Sequence, residues 1–312
     1  MRILIVGAGG IGGYYGGRLL EAGRDVTFLV RPARAEKMRT TGLSIESASG
    51  AARLSTTPVV TAAELKTAGT FDLVVLTCKS YDLPVAVADC GSAVGPGTVV
   101  LPLLNGMRQL DALDARFGAE AVLGGVCMIS TRLEDGGRIV HLSDFHRLTF
   151  GARSPEQTEA VRAVAAEFQG ARFETIVAPD VALAMWEKWI FLATLAGTTC
   201  LMRAAIGDVV RAGGTSCIAD MFGECRAIAD AHDRSPSPAF AELALGRLTG
   251  PNDSTLIASM LSDLERGGPT EAEHILGDLL ARGEARGLKA PTLKAALVAI
   301  RAQAERAART KR

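Results

Sequence analysis

Six residues constrain this chain more than any others. Gly7-Ala8-Gly9-Gly10-Ile11-Gly12 follows directly on the apolar run Ile3–Val6 and leads into an amphipathic helix expected over Ile11–Glu21. A strand, a glycine turn and a helix in that order form the phosphate-binding opening of a dinucleotide site. Gly7 permits the tight turn, Gly9 lets backbone approach a pyrophosphate, and Gly12 allows the helix to pack closely on the strand. The start of the helix then offers N–H groups and a partial positive charge to the phosphates. Position and flanks separate this run from a chance cluster in a chain that carries 34 glycines.

The same alternation continues downstream. Short β-rich runs occur at Ile3–Val6, Val26–Val30, Leu73–Thr77 and Thr98–Leu103, with helical spacing over Ile11–Glu21 and Tyr81–Ala93. Near-continuous apolar strands alternating with helices predict a parallel sheet covered on both faces. Further strands are expected at Val122–Ser130, Arg138–Leu142 and Arg147–Phe150, with a hairpin turn at Gly136-Gly137. A helix over Pro155–Phe168 and a strand near Phe173–Val177 follow. From Pro179 the chain reads as helical throughout, broken at Gly213-Gly214, Ser235–Pro238, Gly250-Pro251 and Gly267–Pro269. A last helix starts at Pro291, and Arg301–Arg312 reads as its solvated end. The predicted fold class is α/β: an N-terminal Rossmann-type doubly wound sheet over residues 1–175 and an all-helical C-terminal domain over 176–312. At 312 residues, two domains are expected.

Composition removes other classes. Lys+Arg and Asp+Glu both number 34, which argues against a nucleic-acid binder. The six cysteines form no C-x-x-C pair, and no Cys/His cluster has zinc spacing, so no metal site is expected. They read as reduced residues of a cytoplasmic protein. The uncharged run Trp189–Met202 is shorter than the ~20 residues of a membrane span, so no membrane partner is expected.

Chemistry is expected at four further places. Arg31 follows the second strand where a dinucleotide's adenosine ribose is read, and no acidic residue stands there. A guanidinium pairs with a 2′-phosphate, so NADP(H) is the expected cofactor. Lys79 and Asn105-Gly106 each follow a buried strand, at the sheet edge that faces ligand. Lys188, in Trp186-Glu187-Lys188-Trp189, is the last charge before the apolar run. Partial burial there would make it a better acid near neutral pH. His141 and His146 in strand-like segments, and His232 near a helix end, read as structural. Glu271 and His274 have i, i+3 spacing with no second pair to complete a metal site.

In their order along the chain, Gly7–Gly12, Arg31, Lys79, Asn105-Gly106-Met107, Trp186-x-Lys188, Ser259-Met260 and Glu271 resemble the ketopantoate reductases, NADPH-dependent enzymes of pantothenate and coenzyme A synthesis. The resemblance spans essentially the whole chain and implies an active site between the two domains. It makes Lys188 the general acid that protonates the ketone oxygen as hydride arrives. Arg31 becomes the 2′-phosphate ligand, and Lys79 and Asn105 neighbours of the nicotinamide ribose. Glu271 lies near that ribose and the lysine, and Ser259 helps to hold the substrate carboxylate. The implied reaction is 2-dehydropantoate to (R)-pantoate.

The chain departs from the family's pattern where asparagines usually follow the lysine. Leu192, Ala196 and Ile206 stand there instead. Thr199 remains on that helix face to offer a hydroxyl to the substrate. The expected pocket is therefore more apolar, and a more apolar 2-oxo or 3-hydroxy acid is the second reading. A non-catalytic NADP(H)-binding redox sensor is the third. The helices over Ser216–His232 and Ala272–Arg286 are the ones able to carry a homodimer interface.

Overall fold

A computed structural model describes residues 1–250 and 252–310. Pro251 of the expected Gly250-Pro251 break, and the last two residues of the expected tail, lie outside the described residues. By its packing the chain divides into two units: Met1–Leu104 with Gln109–Ala184, and Asn105–Arg108 with Met185–Arg312.

The first unit runs β1 (Arg2–Val6), α1 (Gly10–Glu21), β2 (Asp25–Leu29), α2 (Pro32–Thr41), β3 (Leu43–Glu46), β4 (Ala52–Leu54), β5 (Val59–Val60) and α3 (Ala62–Leu65). It continues through β6 (Leu73–Leu76), α4 (Leu83–Cys90), β7 (Val99–Pro102), α5 (Arg108–Phe117), β8 (Gly124–Leu133), β9 (Arg138–Gly151), α6 (Thr158–Phe168) and β10 (Glu174–Val177). Five strands form a parallel sheet in the order β5-β2-β1-β6-β7. Ile5 lies in register with Phe28 on one side and Val75 on the other. All of β6 and β7 is buried, as strands covered on both faces must be.

A second sheet has the order β10-β9-β3-β4, with β8 antiparallel to β9. The turn between β8 and β9 stands at the predicted glycines, with Gly137 at φ +88 and its N–H donating to Glu134. Two differences from the sequence reading follow from register. The segments Arg138–Leu142 and Arg147–Phe150 are one strand, because β8 pairs along its length across a bulge at Ile129/Thr131. β3, β4 and β5 gave no strand signal: they are two to four residues long and are stabilised by the partners they meet in space.

The first helix also corrects the sequence reading, which takes it as amphipathic. Gly12 through Leu19 are buried on every side. A Cβ on Gly16 would strike Phe28 and Ile5 of the parallel sheet, and one on Gly17 would strike Leu43 and Ile45 of the second sheet. α1 therefore runs between the two sheets. Its glycines, costly to helix propensity, are what let backbone approach both.

The second unit is helical: α7 (Val181–Met202), which starts before the division, α8 (Ile206–Arg211), α9 (Thr215–Asp230), α10 (Pro238–Thr249), α11 (Ser259–Glu265), a π-helical turn over Glu273–Gly277, α12 (Asp278–Ala285) and α13 (Pro291–Thr310). Trp189, Ile190 and Ala193 of α7 are fully buried at its centre. The Glu224 carboxylate of α9 accepts the first N–H groups of α13, from Thr292 and Leu293, at 2.9 and 2.8 Å. That gives the predicted start at Pro291 a cap from a distant helix. Among the described residues no helix is long and apolar enough to cross a membrane.

Candidate active site

In the first unit the glycine run forms a cradle. β1 ends in Gly7, whose φ of +97 only glycine adopts without strain and whose N–H donates to Leu29 at 2.9 Å. Gly9 is the N-cap of α1, has no side-chain cap, and a Cβ there would meet nothing within 4 Å. Gly12 is the reverse: its Cβ would lie 2.0 Å from the Gly7 carbonyl and 2.2 Å from Thr77 Oγ1. An open face at Gly9, an uncapped helix start and close packing at Gly12 are the features a pyrophosphate needs, so the loop Gly7, Ala8, Gly9, Gly10, Ile11 and Gly12 fits a dinucleotide.

Two side chains brace this loop. The Thr77 hydroxyl donates to Val6 and Gly7 carbonyls at 2.9 and 3.1 Å. The half-buried Arg34 donates to the Ala8 carbonyl at 3.2 Å, and burial lowers its pKa. The sequence reading missed both roles, because neither has a local signal and the loop they hold lies far along the chain.

Arg31 is the N-cap of α2 and is largely exposed, at 75% of its side chain. Its Nη2 donates to Asp82 Oδ1 at 2.6 Å, across 51 residues of sequence. Asp82 closes the short turn that follows Lys79, its N–H donating to the Lys79 carbonyl at 2.9 Å. The expectation that no carboxylate stands near Arg31 holds along the chain and fails in space.

In the second unit, Asn105 and Gly106 pack with the helical residues although they follow β7 in sequence. Gly106 has φ +79, and a Cβ on it would press on the His274 ring and carbonyl at 3.2 Å. His274 is buried and hydrogen-bonded to the Asn105 backbone. Burial pushes its pKa down against the opposing pull of Glu271. The Asn105-Gly106 turn, Glu271 and His274 thus form one cluster. Glu271, three residues before His274, is buried to 7% exposure just ahead of the π turn.

Lys188 is half-buried on α7. Its neighbour Trp189 donates from Nε1 to the Ile275 carbonyl at 2.9 Å, which ties that part of α7 to the π turn following Glu271. Ser259 is exposed at the first position of α11. Leu192 is half-buried on α7, whereas Ala196 and Ile206 lie in the helical core. Thr199 departs from the expectation that it faces substrate. It is fully buried, donates to the Leu195 carbonyl at 2.7 Å and accepts from the Ala258 N–H at 3.4 Å. Its hydroxyl is taken up in joining α7 to the start of α11.

His141 and His146 both lie on β9 and stack at 5.3 Å, and Tyr14 bonds His146 at 2.5 Å. His232 stacks on Trp186 at 5.5 Å. None of the six cysteines is in a disulfide. Burial pushes Cys90 up to about 11 and both Cys200 and Cys225 to about 12, so these are unreactive core residues. Cys217, by contrast, is exposed.

Comparison with known proteins assigns the chain to a family. The family described as "Ketopantoate reductase PanE/ApbA" matches residues 3–155, and its C-terminal counterpart matches residues 180–304. An uncharacterized oxidoreductase of Bacillus subtilis, YkpB, is 37% identical over 296 residues, covering 94% of this chain and 96% of that protein. The crystal structure of 2-dehydropantoate 2-reductase from Geobacter metallireducens superposes with a TM-score of 0.88 at 27% identity, covering 97% of this chain and 99% of that one. D-mandelate dehydrogenase, solved with NADH and anilino(oxo)acetate, shares the fold at a TM-score of 0.89 and 19% identity, covering 99% and 100%. The chain belongs to the ketopantoate reductase family, whose members are oxidoreductases that act on CH–OH groups with a nicotinamide cofactor.

Proposed function

We propose that this protein reduces a 2-oxo acid with NADPH, with 2-dehydropantoate to (R)-pantoate as the leading reaction. The observation that carries the reading is the fastening of Lys188. It sits on a helix stapled through Trp189 to the turn that follows Glu271, in a chain that also holds a dinucleotide cradle at Gly7–Gly12. The nicotinamide, when bound, supplies the hydride. Lys188 then places a positive charge where the ketone oxygen becomes an alkoxide and gives it a proton. The resemblance gives Glu271 the role of positioning the lysine and the ribose. Ser259 donates to the substrate carboxylate, and Lys79 and Asn105 orient the nicotinamide ribose. Arg31 pairs with the 2′-phosphate, which favours NADPH.

A second reading keeps the chemistry and changes the acid. Leu192, Ala196 and Ile206 leave α7 and α8 without the amides that would bond a hydroxylated substrate, and a site lacking such groups discriminates weakly in favour of one. The test is the initial rate of NADPH oxidation with 2-dehydropantoate beside 2-oxo acids bearing bulkier apolar side chains. A preference for 2-dehydropantoate by orders of magnitude supports the first reading. A preference for a bulkier acid supports the second. NADPH binding with no turnover of any acid overturns both in favour of a redox sensor.

A further inference from the structure

The ion pair between Arg31 and Asp82 joins two loops of the dinucleotide-binding unit. Arg31 caps α2 at the end of β2, and Asp82 closes the turn after β6 that begins with Lys79. Neither partner is spent on the core: Arg31 is 75% exposed and Asp82 36%. A guanidinium here is in reach of a ligand, but its charge is already shared with a carboxylate 2.6 Å away.

We propose that Asp82 is a specificity-determining residue for the cofactor, one that lowers the preference for NADPH over NADH by holding Arg31. This rests on the reading that the Gly7–Gly12 loop takes a dinucleotide and that Arg31 meets its 2′ position. A 2′-phosphate brings about two negative charges to that point, and a ribose hydroxyl brings none. The Asp82 carboxylate repels the first and leaves the second untouched. Arg31 alone favours the phosphate by a charge-assisted bidentate pair. With Asp82 beside it, part of that advantage is cancelled before the cofactor arrives. The two residues together make a graded selector.

The same pair reaches the turn that carries Lys79. The Asp82 N–H donates to the Lys79 carbonyl, so the turn carrying Lys79 is tethered to the end of β2. Occupation of Arg31 by phosphate loosens the pull of Asp82 on Arg31 and leaves that backbone turn closed by its own hydrogen bond.

The experiment is calorimetric titration of the full chain with NADPH and with NADH, for the wild type, Asp82→Asn, Arg31→Ala and the double variant. An exposed pair is worth a fraction of a tenfold change, so Asp82→Asn is expected to raise the NADPH-to-NADH affinity ratio about three- to fivefold, through NADPH alone. The gain shrinks in roughly 1 M salt, where exposed charges are screened. Arg31→Ala lowers the ratio, and Asp82→Asn adds less in that background than alone, because the pair it would release is gone. An unchanged ratio in Asp82→Asn overturns the inference. So does a lower one, which would mean that Asp82 orients Arg31 toward the phosphate. If the wild type binds neither cofactor, the dinucleotide reading itself fails and takes this inference with it.

Discussion

Three residues show how placement decides a role. Gly12 has no room for a side chain, because its Cβ would lie 2.0 Å from a backbone carbonyl that cannot move without reshaping the loop. Gly12→Ala is expected to cost about 1–3 kcal/mol in stability, as overpacking does, and to weaken cofactor binding, both read by urea and cofactor titrations. Lys188, on the proposed chemistry, is needed for turnover and not for cofactor affinity. Lys188→Ala should lower kcat by ~10²-fold or more with the cofactor Kd unchanged, and a near-normal rate would remove it as proton donor. Thr199 is a member of the core. Thr199→Val should destabilise the protein by about 1–2 kcal/mol, since the buried Ala258 N–H loses its acceptor, while KM for the acid stays the same. A raised KM without loss of stability would return Thr199 to the substrate site.

At the scale of elements, the site depends on ties that no single element shows. The Trp189–Ile275 bond holds α7 to the π turn, and such turns interrupt helices where function needs an altered register. Trp189→Phe strands the Ile275 carbonyl and should cost about 1–3 kcal/mol and reduce kcat, with cofactor binding in the first unit unaffected. On β9, His146 is held below its ordinary pKa of 6.5 first by burial, then by His141 and Arg18, against the opposing pull of Glu174. His274 is depressed in the same direction by its own burial. An unfolded chain therefore takes up these protons before the native one. The associated stability is present above pH 6.5 and is lost as pH falls through the lowered native values. Melting temperature should drop with acidification across that range, and the drop should be shallower in His146→Gln and in His274→Gln; parallel curves would rule the two imidazoles out as its cause.

Over the whole molecule, what was legible locally is what local chemistry determines. The order strand, glycine turn, helix at the N-terminus needs no distant partner: apolar β-branched runs and glycine spacing specify it within about a dozen residues. β1, β2, β6 and β7 of the parallel sheet, the hairpin at Gly136-Gly137 and the helical run after Pro179 were readable for the same reason. The short strands over residues 43–60 were not, because β3 forms against β9 and β5 against β2, while the three residues of β4 form only against β3. The burial of α1 between two sheets was also hidden, since its glycines read equally well as a phosphate loop continuing into an amphipathic helix. Of the residues singled out beforehand, Gly7–Gly12 form the turn between β1 and α1, open at Gly9 and closely packed at Gly12. Asn105 and Glu271 come together around His274, and Thr199 turns inward. The sequence by itself determined the two-part α/β and helical architecture, the glycine-rich loop after the first strand and the chemical types available. Tertiary structure decided that Asp82 meets Arg31, that Thr77 and Arg34 brace the glycine loop, and that His274 meets the Asn105 turn. Those are contacts between residues distant in the chain, and their geometry is set by packing against partners that no local window contains.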